Sequence, residues 1–162
     1  MLPQSATCLF WSGMYQFFES RFKEGRITPY MVKLPTDPQP ELFESLAELA
    51  WNLSALAEVH QVTCIGIANS GVLLAEAMYK SALDLGKLAN WMIIDPHTAV
   101  STIGHQVAVG IPIMIDNAVT TGDTVGLVKS IVNQRGYYPK TVVRIFDRED
   151  VGEDGLSTVE RV

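Results

Sequence analysis

The sequence predicts an α/β fold, a parallel sheet flanked by helices, and two observations carry that reading. Four short runs, 62–68, 91–94, 111–115 and 141–146, are almost continuously apolar and rich in β-branched residues. Strands without polar alternation are buried on both faces. Stretches with helical spacing lie between these runs, and strands that alternate with helices make a parallel sheet covered on both sides. Ligands of such sheets sit beyond the carboxyl ends of the strands.

Taken in order, residues 8–22 carry Phe10, Trp11, Met14, Phe17, Phe18 and Phe22 at spacings that predict a short aromatic helix. A polar turn at Lys23–Arg26 leads into an extended piece closed by Pro35, Pro38 and Pro40. Residues 41–59 place Leu42, Leu46, Leu49, Leu53 and Leu56 on one stripe, predicting a single amphipathic helix. The first strand ends in Asn69-Ser70-Gly71, and helical spacing resumes from Val72 to Leu85, before Gly86. Residues 96–110 read as a loop without an element of its own. A helix over 124–135 stops at Gly136. No internal repeat or linker interrupts the chain, so residues 1–162 read as one domain.

Composition narrows the functional classes. At 162 residues the chain is long enough to bury roughly 68–70% of its unfolded surface. Twelve Lys and Arg against 18 Asp and Glu give a net charge of −6, which disfavours a nucleic-acid binder needing clustered cations. Two cysteines, Cys8 and Cys64, supply neither a disulfide framework nor a four-ligand zinc site, and a reducing, cytoplasmic setting is expected. Residues 1–18 lack a basic start and are broken by Pro3, Gln4, Ser12 and Gly13, and residues 96–115 are broken by Gly and Pro. Neither stretch predicts a membrane span.

The chemistry concentrates in residues 111–124. A buried strand runs into Asp116 and Asn117, then Ala118 and Val119, then Thr120, Thr121, Gly122, Asp123 and Thr124, which open a helix. Hydroxyls and the amides of a first helical turn converge there, an arrangement that binds phosphate. The same residues would also serve simply as a helix cap.

This stretch resembles the phosphoribosyl-diphosphate (PRPP) motif of the type I phosphoribosyltransferases. Three further segments, in order, resemble orotate phosphoribosyltransferase: Phe22-Lys23-Glu24-Gly25-Arg26-Ile27-Thr28-Pro29-Tyr30, the Gly66–Ala75 loop and helix start, and Asp147-Arg148-Glu149-Asp150 with Leu156-Ser157-Thr158-Val159-Glu160. The resemblance implies a small N-terminal hood segment, a homodimer, and Mg²⁺ bound with PRPP. It implies that Thr120, Thr121, Gly122, Asp123 and Thr124 cradle the 5′-phosphate while Asp116 faces the ribose hydroxyls. It also implies that Asn69, Ser70 and Gly71 approach the pyrophosphate, and that Lys23 contacts pyrophosphate near the base. Arg148 with Thr120 would bind a pyrimidine-type base, although a loop arginine also pairs readily with a neighbour such as Glu149 or Asp150. No residue set is expected to hold a metal by itself.

The departures from that family fall on the catalytic positions. Asn117 stands where the family has a second acid, Ser70 where it often has Lys, and Met31 and Val32 where it has two aromatic residues. Residues 96–110, rich in cations in the family, contain no Lys or Arg here, leaving His97 and His105. His105 is the candidate catalytic histidine; an exposed loop residue is the plainer reading of both. Three functional readings follow: a transferase joining PRPP to a pyrimidine-type base, a catalytically impaired PRPP or nucleotide sensor, and a partner-binding protein on the same fold. The phosphate reading has a direct test. Thr121→Ala and Thr124→Ala should each weaken binding of a 5′-phosphorylated ligand by roughly 1.5–3 kcal/mol, with Thr158→Ala as the control. Equal affinities for all three variants in a calorimetric titration would sink it.

Overall fold

The computed structural model describes residues 15–16, 20–21, 27–28, 31–32, 40–69, 71–99, 101–104, 108–119 and 122–147. Two compact units make up the chain, Met1–Gln39 and Pro40–Val162.

In the first unit, β1 (Tyr15–Gln16) pairs antiparallel with β4 (Met31–Val32), and β2 (Ser20–Arg21) with β3 (Ile27–Thr28). The aromatic helix expected over 8–22 is therefore corrected: where it is described, the segment is strand. Aromatic residues favour extended backbone over helix, and here that preference outweighs an apolar spacing that fits both. The extended piece expected after the Lys23–Arg26 turn is present as β3 and β4.

The second unit is built on β5 (Gln61–Ile67), β6 (Leu88–Ile94), β7 (Ser101–Gly104), β8 (Ile111–Val119) and β9 (Val142–Asp147), in the spatial order β7-β6-β5-β8-β9. β6, β5, β8 and β9 run parallel, with Ile65 beside Met92 and Met114, while β7 is antiparallel to β6. The helices are α1 (Pro40–Trp51), α2 (Ser54–Ala57), α3 (Val72–Asp84) and α4 (Asp123–Gln134).

The sheet is apolar on both faces. Ile65, Ile67, Met92, Ile94 and Met114 pack with Val125, Val128, Ile131 and Val132 of α4. The opposite face meets α3, where a Cβ on Gly66 would touch both Ala75 and Ile93. Pro112 is tolerated inside β8 because Met114 donates its N–H to Thr141 at the start of the β9 side, and Pro112, two residues earlier, precedes that ladder. Cys64 is a free, buried thiol that burial pushes up to about 12, so it fills space rather than reacts. Among the described residues no helix is long and apolar enough to cross a membrane.

Two further expectations are corrected. The 41–59 helix breaks at Asn52 and Leu53, and the buried face of α1 is Phe43, Ala47, Ala50 and Trp51; of the leucine stripe, Leu56 on α2 is buried, Leu42 and Leu46 are half-buried, and Leu49 and Leu53 are exposed. Alanines let α1 lie close to α3, and the Trp51 indole donates to the Met78 carbonyl at 3.0 Å, fixing the rotation of α1. Residues 96–110 do contain an element, β7. The four residues of β7 are too few to show a period, but pairing with the β6 edge satisfies their backbone. The end of that segment is held as well. Val109 donates to the Thr63 hydroxyl at 2.7 Å, and that hydroxyl donates to the Val109 carbonyl at 2.8 Å.

The revised α1 face predicts a contrast in chemical denaturation. Phe43→Ala should destabilise by about 3–5 kcal/mol, whereas Leu49→Ala should stay within ~0.5 kcal/mol of wild type. The reverse ranking would restore the leucine stripe.

Candidate functional site

Strand order locates the site. From β5 the chain passes through α3 to β6 on one side; from β8 it passes through α4 to β9 on the other. Right-handed crossovers in opposite directions put α3 and α4 on opposite faces. The loops after β5 and β8 therefore diverge and open a crevice at the carboxyl ends of both strands.

That crevice is a cleft of about 370 Å³ lined by Ile67, Ala68, Pro96, His97, Asp116, Asp123, Thr124 and Leu127. A larger groove of about 490 Å³ lies on α1 and α3, along Glu44, Glu48, Lys80 and Asp84, away from the strand ends. Its side chains are solvated helix-surface residues, and Lys80 already pairs with Glu76 at 2.7 Å. The cleft at the switch point is the site.

Each wall of the cleft has a structural cause. Asp116 is 5% exposed, and its Oδ1 accepts the Asn117 backbone N–H at 2.7 Å. The strand continues past Asp116 to Val119, so the acid lies within β8 rather than at its last residue. Gly122 adopts φ 80°, a left-handed backbone suited to glycine, and turns the chain into α4. Gly122 stands at the N-cap of α4 and brings no capping side chain of its own, and Asp123 and Thr124 of the first turn line the cleft. Across the crevice, Gly71 donates its N–H to Ile67 at 2.8 Å and accepts from Ala75 at 3.0 Å. A Cβ on Gly71 would run into the Ile115 carbonyl oxygen, so only glycine lets this turn lie against β8. The Ala68–Asn69 peptide within it is cis, and Asn69 is exposed.

Asn117 occupies the next position and, by strand alternation, the face opposite Asp116. It is 3% exposed, and neither its Oδ1 nor its Nδ2 has a hydrogen-bond partner. A buried amide left unpaired costs about 1–3 kcal/mol.

The structure thus brings Asp116, Asp123 and Thr124 together, with Gly122, Gly71 and Asn117 supporting them. Lys23, Ser70, His105, Thr120, Thr121 and Arg148 lie outside the described residues. His97 is the lining residue the sequence reading underweighted. Its one signal was position: it follows Asp95-Pro96 directly after a buried strand. The His97 N–H donates to Asp95 Oδ1 at 2.8 Å, and that bond holds the Asp95 carboxyl below the usual carboxylate range. Among the described residues no three metal-capable side chains cluster.

No family model and no curated protein matches the sequence. Solved structures do match its fold. Orotate phosphoribosyltransferase from Aeropyrum pernix aligns with a TM-score of 0.64 at 18% identity, covering 92% of this chain and 84% of that one. Mycobacterium tuberculosis H37Rv orotate phosphoribosyltransferase, in complex with inorganic phosphate, gives 0.66 at 16%, covering 89% and 81%. Adenine phosphoribosyltransferase from Saccharomyces cerevisiae gives 0.62 at 14%, covering 90% and 89%. Identities this low establish a shared fold, that of the type I phosphoribosyltransferases.

The Gly71 contact has a measurable consequence. Gly71→Ala should destabilise by about 1–3 kcal/mol through the clash with β8. Gly126→Ala, whose added methyl meets nothing within 4 Å inside α4, should gain ~0.5–1 kcal/mol. Equal unfolding midpoints for the two variants would contradict the close approach.

Proposed function

We propose that the cleft binds PRPP and that the chain transfers the phosphoribosyl group to a pyrimidine-type base, releasing pyrophosphate. The observation that carries this reading is the convergence of a nearly buried Asp116, Thr124 and the first turn of α4 on one cleft at the switch point. In this reading the α4 amides, with Thr120, Thr121 and Thr124, hold the 5′-phosphate. Asp116 accepts hydrogen bonds from the ribose hydroxyls. The turn at 68–71 offers backbone to the pyrophosphate, and Lys23 and Arg148 would address pyrophosphate and base as the resemblance implies. A base nitrogen attacks the ribose anomeric carbon as its bond to the pyrophosphate oxygen breaks, and the electron pair leaves with pyrophosphate. Positioning and charge neutralisation do most of this work, since an anionic base needs little proton transfer.

Magnesium fits as an ion that arrives on the ligand rather than one held by the protein. Asp116 spends one oxygen on Asn117, and position 117 is an amide where a second carboxylate would bind a cation. Magnesium is ordinarily shared between substrate phosphates and one or two carboxylates. When bound it would neutralise charge on the pyrophosphate.

A second reading, a PRPP or nucleotide sensor with little turnover, is favoured by Asn117 itself and by the absence of Lys and Arg from 96–110. One lost donor at a developing charge costs ~3 kcal/mol. Titration with PRPP and Mg²⁺, followed by orotate-consumption absorbance, separates the readings. Binding with turnover supports the transferase, binding without it the sensor, and absence of binding rejects both. Wild-type turnover is expected to be very low, and Asn117→Asp should raise it if a carboxylate at this buried position, next in sequence to Asp116, can help hold Mg²⁺. Wild-type turnover at ~1–10³ s⁻¹ would refute the idea of a weakened site.

A further inference from the structure

We infer that His97 supplies positive charge from the described lining of this cleft to an anionic ligand, so that binding a phosphoribosyl ligand takes up a proton. The inference rests on the phosphoribosyl reading and adds a specificity-determining residue to it.

Three observations lead here. First, the described lining of the cleft holds two carboxylates, Asp116 on β8 and Asp123 on α4, and His97 is its one side chain able to carry positive charge. Sequence adds no Lys or Arg anywhere in 96–110. A phosphate entering there meets the partial positive charge of the α4 N-terminus and two negative side chains, a balance that a protonated imidazole would tip.

Second, the imidazole is presented by an ordered turn. Ala99 donates its N–H to the Asp95 carbonyl at 2.9 Å, and His97 donates its N–H to Asp95 Oδ1. The Arg135 guanidinium, at the end of α4, donates to the Ala99 carbonyl. Third, Ala99 sits at φ 56°, a left-handed backbone that alanine rarely adopts. Such a conformation persists where surrounding bonds over-determine it, and these turns recur at ligand clamps. Among the described residues the charged groups around His97 are Asp95 on its own turn, Asp116 on β8, Asp123 at the start of α4 and Arg135 at its end. Histidine is the side chain whose charge changes near neutral pH, so a site built on it reads pH where lysine would not.

The test uses ribose 5-phosphate as the probe, without divalent cations, by calorimetry at about pH 6 and about pH 8 in buffers of different ionisation heat. The probe's own second ionisation is common to all proteins compared. His97→Lys keeps its charge at both pH values and His97→Gln lacks it at both. Wild type should match His97→Lys at the lower pH and fall about tenfold below it at the higher one, towards His97→Gln. At about pH 8, where the probe is fully ionised, a buffer-dependent heat of proton uptake should appear in wild type and be absent from both variants. Wild type and His97→Gln sharing one affinity profile would overturn the inference while leaving the phosphoribosyl reading intact. If none of the three proteins binds the probe at either pH, the phosphoribosyl reading fails and this inference falls with it.

Discussion

The parallel pairing of β5 with β8 is the constraint on which the rest of the unit depends. Both strands lie inside the sheet and are buried beyond their first residues, so their backbone groups are met by neighbouring strands. That requirement selects Val, Ile and Met along both strands and confines Pro112 to a place where no partner is owed a hydrogen bond. It also ends abruptly. Where β5 stops at Ile67, β8 continues for several residues without its partner, and the polar residues Asp116 and Asn117 begin there. Site chemistry starts where the shared ladder ends.

The two faces of the sheet solve the packing problem differently. On the α4 side, branched Val and Ile residues fill the space against Ile65, Ile67 and Met114. On the α3 side, Ala75, Gly66 and Gly71 bring helix, strand and turn into close approach. That closeness carries the 68–71 turn onto β8 at Ile115. The crevice is consequently lined by Ile67 and Ala68 on its β5 wall and by Asp123 and Thr124 at the α4 N-terminus.

What the sequence revealed follows from this layering. The four parallel strands were legible because strands buried on both faces lose their polar alternation, a signal that needs no knowledge of partners. The Asp116–Thr124 stretch was legible for a related reason: its chemistry is local, one strand end feeding one helix start. Elements set by partners were not. The buried face of α1 depends on where α3 lies, so Ala47 and Ala50 won over more hydrophobic leucines. β7 exists only because β6 offers an edge. His97 is close to no other candidate in sequence, and only the order β6-β5-β8 brings it beside Asp116 and Asp123.

The distribution of departures from the phosphoribosyltransferase pattern has a physical logic. The features shared with that pattern at the start of α4, the αL glycine and the helix start itself, are backbone features that the crossover from β8 to α4 needs in any case. The features replaced are side-chain charges, which the fold does not need. Asn117 illustrates the difference. A carboxylate at 3% exposure beside Asp116 would be a second buried negative charge, severely destabilising without a cation to offset it. An amide of the same shape carries no charge and leaves a smaller penalty, that of two unpaired polar atoms. Without a cation, the neutral side chain is therefore the less costly one at position 117, and the positive charge that the described lining can offer an anion is confined to the first turn of α4 and the His97 imidazole.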